Sequence, residues 1–137
     1  MTPSAKNKNP IERSAQAPIE QSMVERFRQL GLETDVAFIL NLLDLYPPMF
    51  EKHYSSIKDA DARQDVSRLH SATHTLKGAS LNIGANQLAS VCRRIEDSSH
   101  HKDFDTIHTL MGDLRKELQS ASTALHLIRT RLSQSKS

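Results

Sequence analysis

The architecture follows from residues 105–132, whose sequence is DTIHTLMGDLRKELQSASTALHLIRTRL. Its apolar positions recur at alternating steps of three and four, the seam that a helix presents to the core of a bundle. These positions are Ile107, Leu110, Leu114, Leu118, Ala121, Leu125, Ile128 and Leu132. The pattern predicts one long amphipathic helix that begins near Asp103 or Asp105 and ends near Leu132. Its end beyond Leu125 is expected to extend past the bundle and offer a surface to a partner.

Four further helices are predicted upstream by the same periodicity. The first covers residues 21–30. The second is capped by Thr34 or Asp35 and has apolar positions from Val36 to Ile57. The third runs from about Asp61 to Asn82 and is ended by Gly84, and the fourth covers residues 85–99. Pro47 and Pro48 lie inside the second of these and predict a kink there or a break into two pieces. No segment alternates in the manner of a strand. The predicted fold is therefore all-α, an antiparallel four-helix bundle with an additional short N-terminal helix.

A chain of 137 residues is long enough for one domain with a real core. We place that domain at residues 21–132. Residues 1–20 contain three prolines among polar residues and read as a flexible N-terminal segment or linker. Residues 133–137 are predicted to form a disordered tail. Both a stand-alone protein and a module of a longer hybrid kinase fit this organisation.

Composition excludes several classes of function. The 18 basic and 16 acidic residues are interspersed, so no basic stripe indicates a nucleic-acid partner. No apolar run reaches the ~18 residues of a membrane span, and the polar N-terminus lacks the apolar core of a signal peptide. The single Cys92 fits a reducing compartment. We therefore expect a cytoplasmic, monomeric protein that binds neither nucleic acid nor membrane.

The run His74-Thr-Leu-Lys77-Gly78 stands out within the third helix. The core stripe of that helix consists of Val66, Leu69, Thr73, Leu76, Ser80 and Ile83. His74 lies about 130° from the centre of the stripe and so points to solvent, with Lys77 on the same surface. A glycine in an exposed helix interior costs about 0.5–1 kcal/mol relative to alanine. A second molecule that must approach His74 is the simplest reason for Gly78.

These residue types suit phosphoryl chemistry. A neutral imidazole is a competent nucleophile, and a nearby ammonium can stabilise a dianionic phosphoryl group. If the third and fourth helices are antiparallel about Gly84, then His74 and Glu96 lie at the same level. The Glu96 carboxylate could then accept the proton of one ring nitrogen and leave the other as the nucleophile. Pairing of Glu96 with Arg93 or Arg94 is the alternative.

The pattern His74-x-x-Lys77-Gly78-Ala-Ser, with Gly84 six residues after the first glycine, resembles the signature of the histidine phosphotransfer (HPt) family. The resemblance covers about residues 21–130. It implies a phosphocarrier, not a kinase, that accepts a phosphoryl group on His74 from a receiver-domain aspartate of a hybrid sensor kinase. The carrier then passes it to a response-regulator aspartate. The chain itself needs no cofactor, because Mg²⁺ belongs to the receiver.

The resemblance also assigns roles to individual residues. Lys77 would stabilise charge, Gly78 would admit the partner, and Glu96 would hold the ring. The residues expected to contact the partner are His70, Ser71, Gly78 and Leu81.

Two other functions fit parts of the pattern. His70 and His74, four residues apart, could be two ligands of a metal ion. Zinc needs a third or fourth ligand, and no glutamate follows His70 in the metalloprotease pattern, so no metal site is predicted. An adaptor that binds receiver or kinase domains without carrying phosphate is the main competitor. The presence of His74 and Lys77 favours the phosphocarrier.

Overall fold

The computed structural model describes residues 18–135, and within them all regular secondary structure is helical. Five helices follow one another: α1 (Pro18–Leu30), α2 (Val36–Ala62), α3 (Val66–Asn82), α4 (Asn86–His100) and α5 (Phe104–Ser135). None of these helices is long and apolar enough to cross a membrane. The all-α prediction is confirmed. Most of the predicted N-terminal segment, and the last two residues of the predicted tail, lie outside the described residues.

Helices α2 to α5 form an antiparallel bundle in which each helix packs against the one before and after it. Pairs across the α2–α5 interface show the direction of these two helices. Arg115 reaches Glu51 at 3.1 Å, and Arg129, further along α5, reaches Asp44, which is earlier in α2. Because α5 packs against both α2 and α4, it lies diagonally across the bundle from α3. Helix α1 packs on α5 and α4 as the predicted additional helix.

The seam of α5 is buried along its whole length. Ile128 and Leu132 are only 2% and 4% exposed. The prediction that this end extends past the bundle is therefore wrong. The reason is that the first turns of α2 lie alongside it, where Asp44 pairs with Arg129.

Helix α2 is one continuous helix through Pro47 and Pro48, so the predicted alternative of two separate pieces is wrong. Its apolar seam is buried on both sides of the prolines, and Tyr46 and Phe50 meet edge to face with ring centroids 5.8 Å apart. Burial of these aromatic side chains holds the helix together where backbone hydrogen bonds are lost.

The predicted start of the third helix at Asp61 is also wrong, because Asp61 belongs to the last turn of α2. The N-terminal cap of α3 is Asp65, whose carboxylate accepts a hydrogen bond from the Arg68 N–H at 3.1 Å. Helix α2 continues because its buried seam extends past Ile57 to Ala60. The predicted cap of α2, Asp35, accepts in the same way, and so does Asp103, one of the two predicted starting points of α5.

The α3–α4 turn is held by α1. Gly84 has a positive φ of 76°, which favours glycine. The Ser22 hydroxyl donates to the Gly84 carbonyl, and the Arg26 guanidinium donates to the Asn82 carbonyl at 2.8 Å. These bonds satisfy carbonyl groups at the C-terminal end of α3. They also tie α1 to the turn between α3 and α4.

Candidate functional site

The inner face of α3 carries small polar side chains as well as leucines. Thr73 and Ser80 are fully buried, and each hydroxyl donates to a carbonyl one turn earlier, Leu69 O at 2.6 Å and Leu76 O at 2.7 Å. Their hydrogen-bonding groups are thus satisfied within the helix. The predicted core stripe is confirmed except at Val66, which is only partly buried. The opposite face of α3 is consequently left to solvent.

That opposite face contains every residue predicted to contact a partner. We call it the His74 face, and it consists of His70, Ser71, His74, Gly78 and Leu81, all of them exposed. The His74 side chain is 65% exposed and Leu81 is a large apolar residue that is 48% exposed. The rings of His70 and His74 stack nearly parallel, with centroids 6.1 Å apart. A β-carbon at Gly78 would meet no atom within 4 Å, so nothing inside the protein requires a glycine there.

Glu96 reaches His74 from α4, as predicted from the equal height of the two residues along antiparallel helices. Its Oε2 lies 3.2 Å from Nδ1 of the ring, and its side chain is only 10% exposed. An ionised carboxylate only accepts hydrogen bonds, so Nδ1 carries the proton and donates it. The lone pair is then on Nε2, the nitrogen of the exposed ring that is free of this contact. The alternative pairing of Glu96 with Arg93 or Arg94 is not found.

Lys77 contacts the same carboxylate as His74. Its side chain is only 21% exposed, and its Nζ lies 2.7 Å from Oε1 of Glu96. Oε1 is buried, and this close contact lacks the angles of a regular hydrogen bond, so it is held by charge attraction. The two oxygens of Glu96 are thus divided between Lys77 and His74. The sequence offered one signal for this contact, the position of Lys77 on the side of α3 that faces α4.

The carboxylate of Glu96 is held in its ionised form. Burial by itself raises the pKa of Glu96, but the close contacts with the Lys77 ammonium and the His74 ring outweigh burial, and the pKa is lowered overall. The site therefore contains an anionic acceptor for the Nδ1 proton at neutral pH. The neighbouring Cys92 is inert by contrast, because burial and then the charge of Glu96 raise the pKa of its thiol to about 12.

A second exposed histidine beside a carboxylate lies where α2 ends and α5 begins. Nδ1 of His108 is 3.5 Å from Oδ2 of Asp61, and the His108 side chain is 86% exposed. Lys58 lines the pocket that contains this pair, but among the described residues no lysine pairs with Asp61 as Lys77 pairs with Glu96. Within residues 18–135, no three histidine, cysteine or acidic side chains converge as a metal site would require.

Comparisons with known proteins place this site in a family. The model of the Hpt domain matches residues 20–127 of the chain. The chain is also 24% identical over 92 residues to the phosphorelay intermediate protein YPD1 of Candida albicans, an alignment that covers 67% of this chain and 49% of that protein. The chain thus spans about half the length of this curated relative. No solved structure is significantly similar to the chain. Because the family model covers most of the chain, including the whole His74 face and Glu96, the protein belongs to the Hpt domain family.

Proposed function

We propose that the protein is a phosphocarrier in which His74 accepts a phosphoryl group from the phosphorylated aspartate of one receiver domain and passes it to the aspartate of another. The observation that carries the proposal is the contact of Nδ1 with Glu96 at 3.2 Å on a ring that is 65% exposed. It leaves Nε2 as a nucleophile directed to solvent, where another protein can reach it.

The chemistry needs no group from the chain beyond the site. The Nε2 lone pair attacks phosphorus, the bond from phosphorus to the receiver's carboxylate oxygen breaks, and its electron pair returns to that carboxylate. Nδ1 keeps its proton throughout, against Glu96. The reverse step delivers the phosphoryl group to a second aspartate and restores the neutral ring. Mg²⁺ is expected on the receiver domain, and a kinase activity is not part of the proposal.

Transfer of labelled phosphate tests the proposal directly. The protein is incubated with a phosphorylated receiver and Mg²⁺, and label on the chain is tested for the acid lability and base stability of a phosphoimidazole. His74→Gln should abolish the label. His108→Gln is the matched control, because His108 is also exposed and also lies beside a carboxylate. Tight receiver binding without any label on the wild type would establish the adaptor instead.

The His74 face is the proposed docking surface for the receiver. Gly78 has open space above it, so a long side chain there would hold the partner away from Nε2. We expect Gly78→Glu to fold normally and to slow transfer strongly. Gly112 lies on α5, diagonally across the bundle, and also has no atom within 4 Å of a β-carbon. Equal rates for Gly78→Glu and Gly112→Glu would refute the docking role of the face.

Leu81 is the apolar residue of this surface, and we propose that it is an anchor for the receiver. Burial of an exposed leucine on binding is worth about 1–2 kcal/mol, so Leu81→Ala should weaken receiver affinity by about five- to thirtyfold. Calorimetric titration with the receiver measures this loss. An unchanged affinity would place Leu81 outside the interface. The monomeric state and the cytoplasmic location stay predictions, and the first is checked by sedimentation of the free protein.

A further inference from the structure

His70 lies one helical turn before His74, on the same exposed face of α3. The rings of the two histidines are nearly parallel, with 13° between their planes and their centroids 6.1 Å apart. Side chains four residues apart on a helix are neighbours, and both of these rings are exposed. His70 is therefore a titratable group beside the nucleophile that the transfer step described above does not use.

A phosphorylated His74 would place negative charge on the solvent side of the ring. A phosphoryl group carries about one and a half to two negative charges near neutral pH, and a nearby cation stabilises it. The Lys77 ammonium lies 2.7 Å from Oε1 of Glu96, the carboxylate on the Nδ1 side of the ring. A cation that reaches the phosphoryl group from the solvent side would leave that contact in place.

We propose that His70 takes up a proton when His74 is phosphorylated and donates a hydrogen bond to an oxygen of the phosphoryl group. This inference rests on the proposed function of His74. Imidazole is the side chain that ordinarily changes charge between pH 5 and pH 8, and a neighbouring anion favours its charged form. The proton comes from solvent and stays on His70. The transfer step keeps its balance, because Nε2 gains the phosphoryl group and the aspartate keeps the electron pair of the broken bond.

The geometry puts His70 within reach of that group. Phosphoryl oxygens extend beyond Nε2 and stand out of the plane of the ring that carries them, and the His70 ring is stacked beside that plane. Because the His70 side chain is exposed, rotation about its side-chain bonds can bring a ring nitrogen to one of these oxygens without displacing a packed neighbour.

The charged and titratable side chains around His70 come from α3 and from the two helices that pack on it, α2 and α4. They are His74 and Lys77 on α3, Arg93, Glu96 and His100 on α4, and Asp59 on α2, which pairs with Arg68 of α3. Lysine, arginine and carboxylate groups ordinarily keep one charge state between pH 6 and pH 8. His100 is thus the competing source of a pH dependence.

Helical spacing puts His100 at the level of His70. Glu96 contacts His74, and His70 and His100 each lie four residues further from the turn between α3 and α4. His100 therefore needs a variant of its own in any test of His70.

The measurement is the equilibrium constant for phosphoryl transfer from a phosphorylated receiver to the full chain, at pH 6, 7 and 8 and at protein concentrations too low for a complex to accumulate. This constant depends only on the free energies of the separate proteins, so a changed contact between His70 and the receiver does not alter it. The receiver is the same in every reaction, so the ratio of wild type to His70→Gln isolates the contribution of His70. From pH 8 to pH 6 this ratio should rise about two- to fivefold, the range for one charge pair at an exposed site.

Three other variants sharpen the measurement. His70→Lys places a permanent charge at the same position, so relative to His70→Gln it should favour the phosphorylated form to a similar extent at pH 6 and at pH 8. His100→Gln and His108→Gln remove other exposed imidazoles and should keep the pH dependence of the wild type. Circular dichroism confirms that each variant is folded. If His70→Gln is not, the ratio of wild type to His70→Lys carries the test, because it should vary with pH in the same way.

The possible failures are distinct from one another. A ratio of wild type to His70→Gln that is equal at all three pH values would overturn the role of His70, and so would a pH dependence that His100→Gln removes and His70→Gln leaves. A wild type that takes up no label at any pH would overturn the proposed function of His74 instead.

Discussion

Gly78→Ala should make the free protein more stable even though Gly78 lies beside the proposed nucleophile. The added β-carbon meets no atom within 4 Å, so it introduces no clash. Alanine instead removes the conformational cost of glycine in a helix interior, about 0.5–1 kcal/mol. For a domain of this size that gain raises the melting temperature by about 2–5 °C. Thermal and urea unfolding followed by circular dichroism measure it.

Gly112→Ala provides the matched comparison, because Gly112 is also an open glycine inside a helix. Both substitutions should give similar gains in stability, but only Gly78→Ala should slow phosphotransfer, since its methyl group projects from the His74 face. This combination would show that the glycine is needed for the approach of the partner and not for the stability of the fold. The reasoning is refuted if Gly78→Ala destabilises the protein while Gly112→Ala stabilises it, since the fold itself would then need Gly78.

Three other substitutions test the framework of the site. Gly84→Ala should lower the free energy of unfolding by about 2–4 kcal/mol, because alanine is strained at positive φ and overpacks the turn; its β-carbon would lie 2.5 Å from the Ser22 carbonyl oxygen. A loss below about 1 kcal/mol in urea unfolding would mean that α1 moves away from the added β-carbon at little cost, and would contradict the expected overpacking. Asp65→Ala should cost about 1 kcal/mol through loss of the cap on α3, whereas Asp65→Asn should be nearly neutral. The lowered pKa of Glu96 means that the ionised carboxylate stabilises the fold above its unfolded pKa, and that this stability is lost as the pH falls through the folded pKa. Acidification should therefore destabilise the wild type more than Glu96→Gln, and parallel stability curves from pH 7 to pH 3 would contradict the assignment.

Most of the architecture could be predicted because the helices depend on their apolar seams. The α5 seam and the α3 stripe are almost entirely buried, and the caps at Asp35 and Asp103 are local features that the sequence displays. The errors came from places where packing outweighs local preference. Asp61 looks like a cap, yet the buried seam of α2 carries the helix past it. Two prolines predict an interruption, yet aromatic residues on both sides keep α2 whole.

In the site, too, the features that depend on one helix could be predicted, and the contact that depends on packing between helices could not. The exposure of His74 and the level of Glu96 follow from helix geometry, and both are confirmed. The contact of Lys77 with Glu96 was missed, because helical spacing places a lysine on a surface but does not say where a long, flexible side chain ends. That end point depends on a buried oxygen in another helix, which local sequence does not specify. Cross-helix side-chain contacts are thus the part of a site that a single sequence predicts least well.

The burial of Cys92 gives the protein a built-in reporter of its own opening. It is the only cysteine in the sequence, it is 0% exposed, and burial and then the charge of Glu96 raise the pKa of its thiol to about 12. A thiol reagent at neutral pH should therefore modify only those molecules in which the core around Cys92 has opened. When reclosing is fast, the modification rate measures the free energy of that opening. Receiver binding, phosphorylation and the substitutions above can thus be compared by their effect on the opening of the core, without any introduced label.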